Sequence, residues 1–359
     1  MPWAPRPGGG GRRPYACRVT KRKSFGSDNH AGAHPAVLRA LAEANAGDEM
    51  PYGADAWSER AAAGLRERFG AAGAFFVFNG TGANILGLSL LLRPIDAVIC
   101  PRVAHINVDE CGAGERVLGT KLLPADVPDG KLTPDVITGM LGERGDEHRP
   151  QPGVVAISQV TELGTCYTLE ELAKLGEFCH GNDLLLYIDG ARLANAAAHL
   201  GCELAELAGH ADVLSFGGTK NGAVGAEAVL VMREDLAAVV PFHRKQLMQL
   251  GSKMRFVAAQ FAGLLADDLW LSNARQANAM ARRLAGRITG LPGVRISQPV
   301  ESNAVFVALD PAQISTLQRD WSFHVWDERE HVVRLMTAFD TTEDDVDEFA
   351  AAIVATSGR

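Results

Sequence analysis

The strongest constraint on the fold is an alternation of short apolar runs with amphipathic stretches through the first two thirds of the chain. Runs at 75–78, 97–100, 121–123, 154–158, 184–188, 213–216 and 228–231 predict strands. Stretches at 133–141, 168–179 and 193–200 predict helices between them, and Thr168-Leu-Glu-Glu171 has the spacing of a capping box. Strand and helix alternating this often predict an α/β fold, with a mostly parallel sheet covered on both faces. Ligands of such sheets bind beyond the carboxyl ends of the strands. Two of those ends carry charge. Leu184-Leu-Leu-Tyr-Ile-Asp189-Gly-Ala-Arg192 ends in an acid, and Val213-Leu-Ser-Phe-Gly-Gly-Thr-Lys220-Asn-Gly ends in an amine on a glycine-rich turn. Taken singly, Asp189 could cap a helix and Lys220 could be a solvated loop residue. Together they meet the needs of pyridoxal phosphate, whose aldehyde condenses with a lysine and whose ring nitrogen is kept protonated by a carboxylate.

Further motifs sharpen this reading. Ser24-Phe-Gly-Ser27-Asp28-Asn29, Phe78-Asn-Gly80-Thr81-Gly82-Ala-Asn84, Ala104-His105-Ile-Asn, Asp189-Gly-Ala-Arg192-Leu-Ala-Asn195 and Ser215-Phe-Gly-Gly-Thr-Lys220-Asn-Gly-Ala follow one another in the chain. In that order and spacing they resemble the L-threonine aldolases, in particular the low-specificity branch that includes phenylserine aldolases. The resemblance runs from about Ser24 to the carboxyl end. It implies the type I aspartate-aminotransferase fold: a seven-stranded large domain and a small α+β carboxyl-terminal domain. The expected division is a basic, disordered extension over 1–23, a cofactor-binding domain over 24–245, and interface helices with the small domain over 246–359. Helices at 253–268 and 274–289, strands at 294–296, 304–308 and 332–335, and two more helices are expected in that last part.

Each candidate side chain then has an expected role. Gly80-Thr81-Gly82 follows a strand and opens a helix, where backbone amides attract phosphate and glycine allows close approach. By resemblance this turn grips the cofactor phosphate, with Gly82 where alanine is more common. The resemblance also implies that His105 stacks its imidazole on the pyridine ring. Arg334, on an apolar strand, suits a bound carboxylate, since a guanidinium binds one through two hydrogen bonds. The resemblance gives Arg334 the substrate's carboxylate, with help from Ser27 and from Arg192 beside the cofactor. Glu162 stands where some threonine aldolases have a histidine that handles the substrate hydroxyl. A buried carboxylate can accept that proton too, so Glu162, His105 or a water between them are all candidates. Tyr52 and the turn holding Lys253 and Arg255 resemble segments that reach a neighbouring subunit's cofactor, and Tyr52 is a candidate for substrate contact. The resemblance therefore implies a homo-oligomer with the dimer as catalytic unit and a tetramer as the expected assembly.

The expected activity is cleavage of L-3-hydroxy-α-amino acids such as threonine, allo-threonine or phenylserine to glycine and an aldehyde. β-Elimination and transamination on the same fold use the same Lys220 and Asp189. A nicotinamide dehydrogenase would want a third glycine at position 85, which is Ile85, and would leave Lys220 idle.

Composition bounds the rest. The chain has 359 residues, 47% of them hydrophobic and 22% charged, as expected of a globular enzyme. No apolar run reaches the roughly 20 residues needed to span a bilayer. Gly8-Gly-Gly-Gly11 and seven basic residues without an acid mark the first 23 positions, and the remaining body is acidic. An acidic body lacks the basic face that nucleic acids require. Six cysteines form no Cys-x-x-Cys pair, which suggests buried thiols in a reducing cytoplasm. His30 and His34 have the i, i+4 spacing of a metal pair, but Gly32 and Pro35 indicate a loop there, so no metal is expected.

Overall fold

The computed structural model describes residues 22–357, so most of the glycine-rich basic segment, with Cys17, lies outside the described residues. Seven strands form the large sheet: β1 (Gly73–Val77), β2 (Asp96–Pro101), β3 (Lys121–Ala125), β4 (Gln151–Ser158), β5 (Leu185–Asp189), β6 (Val213–Gly217) and β7 (Glu227–Val231). Their order is β1-β7-β6-β5-β4-β2-β3. All neighbours run parallel except β7, which is antiparallel to β1 and β6. The short β6–β7 connection dictates that exception, since a parallel return needs a long crossover.

Alternation within each strand feeds both faces of the sheet. On β4, Val155 and Ile157 enter one apolar layer with Leu186, Ile188 and Phe216. Val154 and Ala156 enter the opposite layer with Tyr187, Val213 and Val229. A strand buried on both faces reads as an unbroken apolar run, which is why all seven expected strands are found. The expected helices are found as well. Leu169–Gly181 starts with the expected capping box: Glu171 N donates to Thr168 Oγ1 at 3.1 Å, and Thr168 N donates to Glu171 Oε2 at 2.7 Å.

Helices Arg255–Leu265 and Leu269–Ile288 lead to the small domain, their bounds a few residues from those expected. Its antiparallel sheet has the order β10-β11-β9-β8, from β8 (Arg295–Ile296), β9 (Ala304–Ala308), β10 (His324–Asp327) and β11 (Val332–Met336). Val305, Val307, Val333 and Leu335 pack beneath Leu284, Ile288, Phe349 and Ile353. On the other face Phe306, Val332 and Met336 meet Leu163 of the large domain.

The amino-terminal boundary differs from expectation. Phe25 is fully buried in the small-domain core, stacked on Phe349 with ring centroids 4.5 Å apart. Its amide donates to Ser322 O, and its carbonyl accepts from Met336 N. Arg22 pairs with Glu348 at 3.1 Å, and Lys23 pairs with Asp340. Residues 22–25 thus pack on the small domain through one aromatic ring and the ion pairs of Arg22 and Lys23, the last two residues of the expected extension.

Candidate active site

Asp189 ends β5, with each carboxylate oxygen holding one donor. Ala191 N donates to Oδ1 at 2.9 Å, and Asn84 Nδ2 donates to Oδ2 at 3.0 Å. Asn84 belongs to the Gly80–Ser89 helix, so the helix that opens with the candidate phosphate turn also orients the candidate ring-binding acid. Asn79 caps that helix, accepting from Gly82 N at 2.7 Å. The Gly80 and Thr81 amides stand at the first helical positions, outside the intrahelical ladder. A Cβ on Gly80 would meet nothing within 4 Å, so this face of the turn is uncrowded.

Lys220 sits on a short turn (Thr219–Asn221) just past β6. Asn221 pins the turn to the Leu269–Ile288 helix: its Nδ2 donates to Trp270 O at 2.8 Å, and its carbonyl accepts from Asn273 Nδ2 at 2.9 Å. Burial and then the Arg192 guanidinium push the Lys220 pKa down, against the pull of Asp28, Asp189 and Glu227. A lysine so placed is more readily neutral and nucleophilic. Glu227 answers it: burial lifts this carboxyl to about 7.

His105 opens a short helix beyond β2. Its amide donates to Glu162 Oε1 at 2.8 Å, and Ser158 Oγ donates to the same oxygen at 2.6 Å. Glu162 Oε2 is buried with no hydrogen-bond partner, and burial raises the carboxyl's pKa. The structure therefore joins His105 and Glu162 directly.

Arg192 is also brought to the site, but its hydrogen bonds go elsewhere than expected. Nε and Nη2 clamp the Asp28 carboxylate at 2.7 and 2.9 Å. Asn303 Nδ2 adds a third bond to Asp28 at 3.0 Å. Two of the three guanidinium nitrogens are thus paired with a protein carboxylate. Ser27 caps the Asp28–His30 turn, accepting from Asn29 N at 3.2 Å. Arg334 lies on the β11 face shared with Val332 and Met336, its guanidinium 5.2 Å from the centre of the Trp326 ring.

A second group forms around the candidate phosphate turn. Tyr52 N donates to Ser252 O at 2.9 Å, and Lys245 Nζ lies 5.3 Å above the Tyr52 ring. Gly251 packs against the Phe78 ring, and Gln249 Oε1 accepts from Phe78 N at 3.1 Å. The Gln249 side chain fills the space a Cβ on Gly82 would take, 2.5 Å away, so alanine there would force Gln249 to move. Lys253 and Tyr52 are exposed, while Arg255 donates to Gly47 O at 3.3 Å. His34 caps the Pro35–Ala44 helix instead of lying in one with His30. Among the described residues no three His, Cys, Asp or Glu side chains converge as metal ligands, and no helix is long and apolar enough to cross a membrane.

A profile of the beta-eliminating lyases matches residues 24–312. The low-specificity L-threonine aldolase of Pseudomonas aeruginosa is 45% identical over 336 residues, 92% of this chain and 97% of that protein. The enzyme of the same name from another Pseudomonas is 43% identical over 93% of this chain and 97% of its own length. The chain belongs to the low-specificity L-threonine aldolase family. Its structure superposes on Leishmania major threonine aldolase with a TM-score of 0.87 at 32% identity, over 92% of this chain and 98% of that one. The family depends on pyridoxal phosphate. The residues present fit that group: a buried amine of lowered pKa, a carboxylate already oriented at the adjacent strand end, and helix-start amides outside the intrahelical ladder beside an uncrowded glycine.

Sequence reading gave no role to Asp28, Asn84, Glu110, Glu227 or Asn303. Asp28 and Asn84 lie inside quoted motifs, a signal that was there to use. Glu110, Glu227 and Asn303 become visible only through contacts made across the fold.

Proposed function

We propose that the protein cleaves L-3-hydroxy-α-amino acids between Cα and Cβ, releasing glycine and an aldehyde. The observation that carries this reading is the meeting of Lys220 and Asp189, past the adjacent strands β6 and β5, with His105, past β2, at one edge of the sheet. When bound, pyridoxal phosphate supplies the electron sink for the breaking bond. Lys220 would hold its aldehyde carbon, Asp189 its ring nitrogen, His105 one ring face, and the Gly80-Thr81-Gly82 turn its phosphate.

The remaining work falls to the chain's own groups. Arg334 and Ser27 hold the substrate carboxylate, which sets the Cα–Cβ bond for cleavage. Arg192, locked by Asp28, keeps a positive charge beside Lys220 and favours its neutral form. Glu162, His105 or a water between them accepts the β-hydroxyl proton, and a proton returned to Cα completes glycine. Tyr52, Lys253 and Arg255 serve a neighbour's site in a dimer, two of which form a tetramer. The thiols of Cys100, Cys111, Cys166, Cys179 and Cys202 are all unpaired, which supports a cytoplasmic setting.

The test is product analysis with L-threonine, L-allo-threonine and L-phenylserine. Equal amounts of glycine and aldehyde are expected. Ammonia and a 2-oxo acid in their place would identify an eliminating enzyme, and amino-group transfer to an added 2-oxo acid would identify a transaminase.

A further inference from the structure

Behind His105 lies a carboxylate that the chemistry above does not use. The Glu110 side chain is entirely out of solvent, whereas His105 keeps 38% of its side chain exposed. Glu110 Oε1 lies 2.9 Å from His105 Nδ1 and accepts from Asn84 Nδ2 at 2.6 Å. Asn84 Nδ2 gives its other hydrogen to Asp189, and Asn84 Oδ1 accepts from the Tyr187 hydroxyl at 2.8 Å. With both amide hydrogens turned to carboxylates and the carbonyl turned to a hydroxyl, the Asn84 orientation is fixed by its partners. Glu110 Oε1 then acts as an acceptor, and the proton between it and His105 belongs on Nδ1. A neutral imidazole protonated at Nδ1 carries its lone pair on Nε2.

We propose that Glu110 is a positioning residue: it keeps the His105 proton on Nδ1, so that Nε2 is the nitrogen that takes up and releases a proton at the cofactor face. The inference rests on the placement of His105 against the cofactor given above. It deepens that reading by naming the one imidazole atom open to the substrate oxygen. The same contact orients the ring, and Asn84 ties it to Asp189, so the stacking group and the acid at the ring nitrogen share one hydrogen-bonded frame.

The charges facing His105 are Glu110 and Asp189, which favour the imidazolium, and Lys220, which opposes it; Glu162 meets the His105 amide. The hydrogen bond to Glu110 is the largest influence and outweighs burial, so the His105 pKa lies above 6.5. Packing alone does not require a negative charge at position 110, since glutamine would fill the same space and could still accept at Oε1.

The experiment is nitrogen-15 NMR of the histidine-labelled, pyridoxal-phosphate-loaded full chain, with His105→Asn identifying the signal. Long-range proton–nitrogen couplings distinguish the two tautomers and follow the ring through its titration. Wild-type His105 is expected in the Nδ1–H form with a midpoint above 6.5. Glu110→Gln should lower that midpoint by about one pH unit, as loss of a carboxylate at hydrogen-bond distance requires. An Nε2–H tautomer in the wild type, or an unchanged midpoint in a folded Glu110→Gln protein, would overturn the proposal. Should that variant fail to fold, the wild-type tautomer and midpoint decide alone. The readout is a ring proton rather than turnover, so it can fail while aldehyde release stands, and the reverse.

Discussion

Asp28 and Arg192 show how one pair of side chains ties stability to the site. Burial works against the Asp28 carboxylate, but Arg192, then Lys220 and Asn303, outweigh it and hold its pKa down to about 2. A depressed carboxyl pKa stabilises the fold above the unfolded value of about 3.9, and that stability is lost as pH falls toward 2. The shift corresponds to about 2–3 kcal/mol. Urea unfolding at stepped pH should therefore show an acid-side loss in the wild type that Asp28→Asn lacks; parallel profiles would contradict this. Lys220 makes a simpler prediction. Lys220→Ala should abolish turnover, and borohydride should no longer fix cofactor to the chain, because no other lysine stands at that strand end. Labelling of a different lysine would overturn the assignment of the site.

The elements that carry Asp189 and Lys220 are joined by close contact between β5 and β6. Gly190 N donates to Ser215 Oγ at 3.0 Å, and Gly217 N donates to Gly190 O at 3.1 Å. A Cβ on Gly190 would lie 2.0 Å from Ser215 O, and one on Gly217 would lie 2.5 Å from Ala191 O. Neither obstacle is a movable side chain. Gly190→Ala must push β5 and β6 apart at the site, at a cost of about 3 kcal/mol. It should lower both melting temperature and activity, and a variant that melts and turns over like the wild type would show that the crossing yields. Thr168→Ala, which removes a capping box, should cost about 1 kcal/mol. The large-domain elements were legible because each carries its own signal: an apolar run of strand length, a capping residue, a glycine turn. β10 was not, since His324-Val-Trp-Asp327 is short, mixed in polarity and strand-like only through its pairing with β11.

Across the whole molecule, what the sequence could and could not show divides along the sheet. Lys220 and Asp189 were legible because strand ends are local features, and a parallel sheet brings successive ends to one edge. The Asp28 clamp and the Glu110–Asn84–Asp189 frame join segments far apart in the chain, so no spacing reveals them. The group around Tyr52 raises the same problem one level higher, because its proposed partner is another chain. Tyr52, Met50, Phe242 and Met248 are 52%, 66%, 68% and 82% exposed. They lie on segments gathered near the candidate phosphate turn by the Tyr52–Ser252 and Phe78–Gly251 contacts. Apolar side chains so exposed beside a site suit an interface. In a dimer that covers them, Lys253 and Arg255 would complete the neighbour's phosphate site, and cofactor retention would follow assembly. Mixing inactive Lys220→Ala subunits with inactive Lys253→Ala/Arg255→Ala subunits under exchange conditions tests this. A mixed dimer then carries both lesions at one site and none at the other. Random exchange should restore up to about a quarter of wild-type activity, since half the dimers are mixed and each has one intact site. Proven exchange without recovery, or full activity from a monomer by light scattering, would show that each chain builds its site alone.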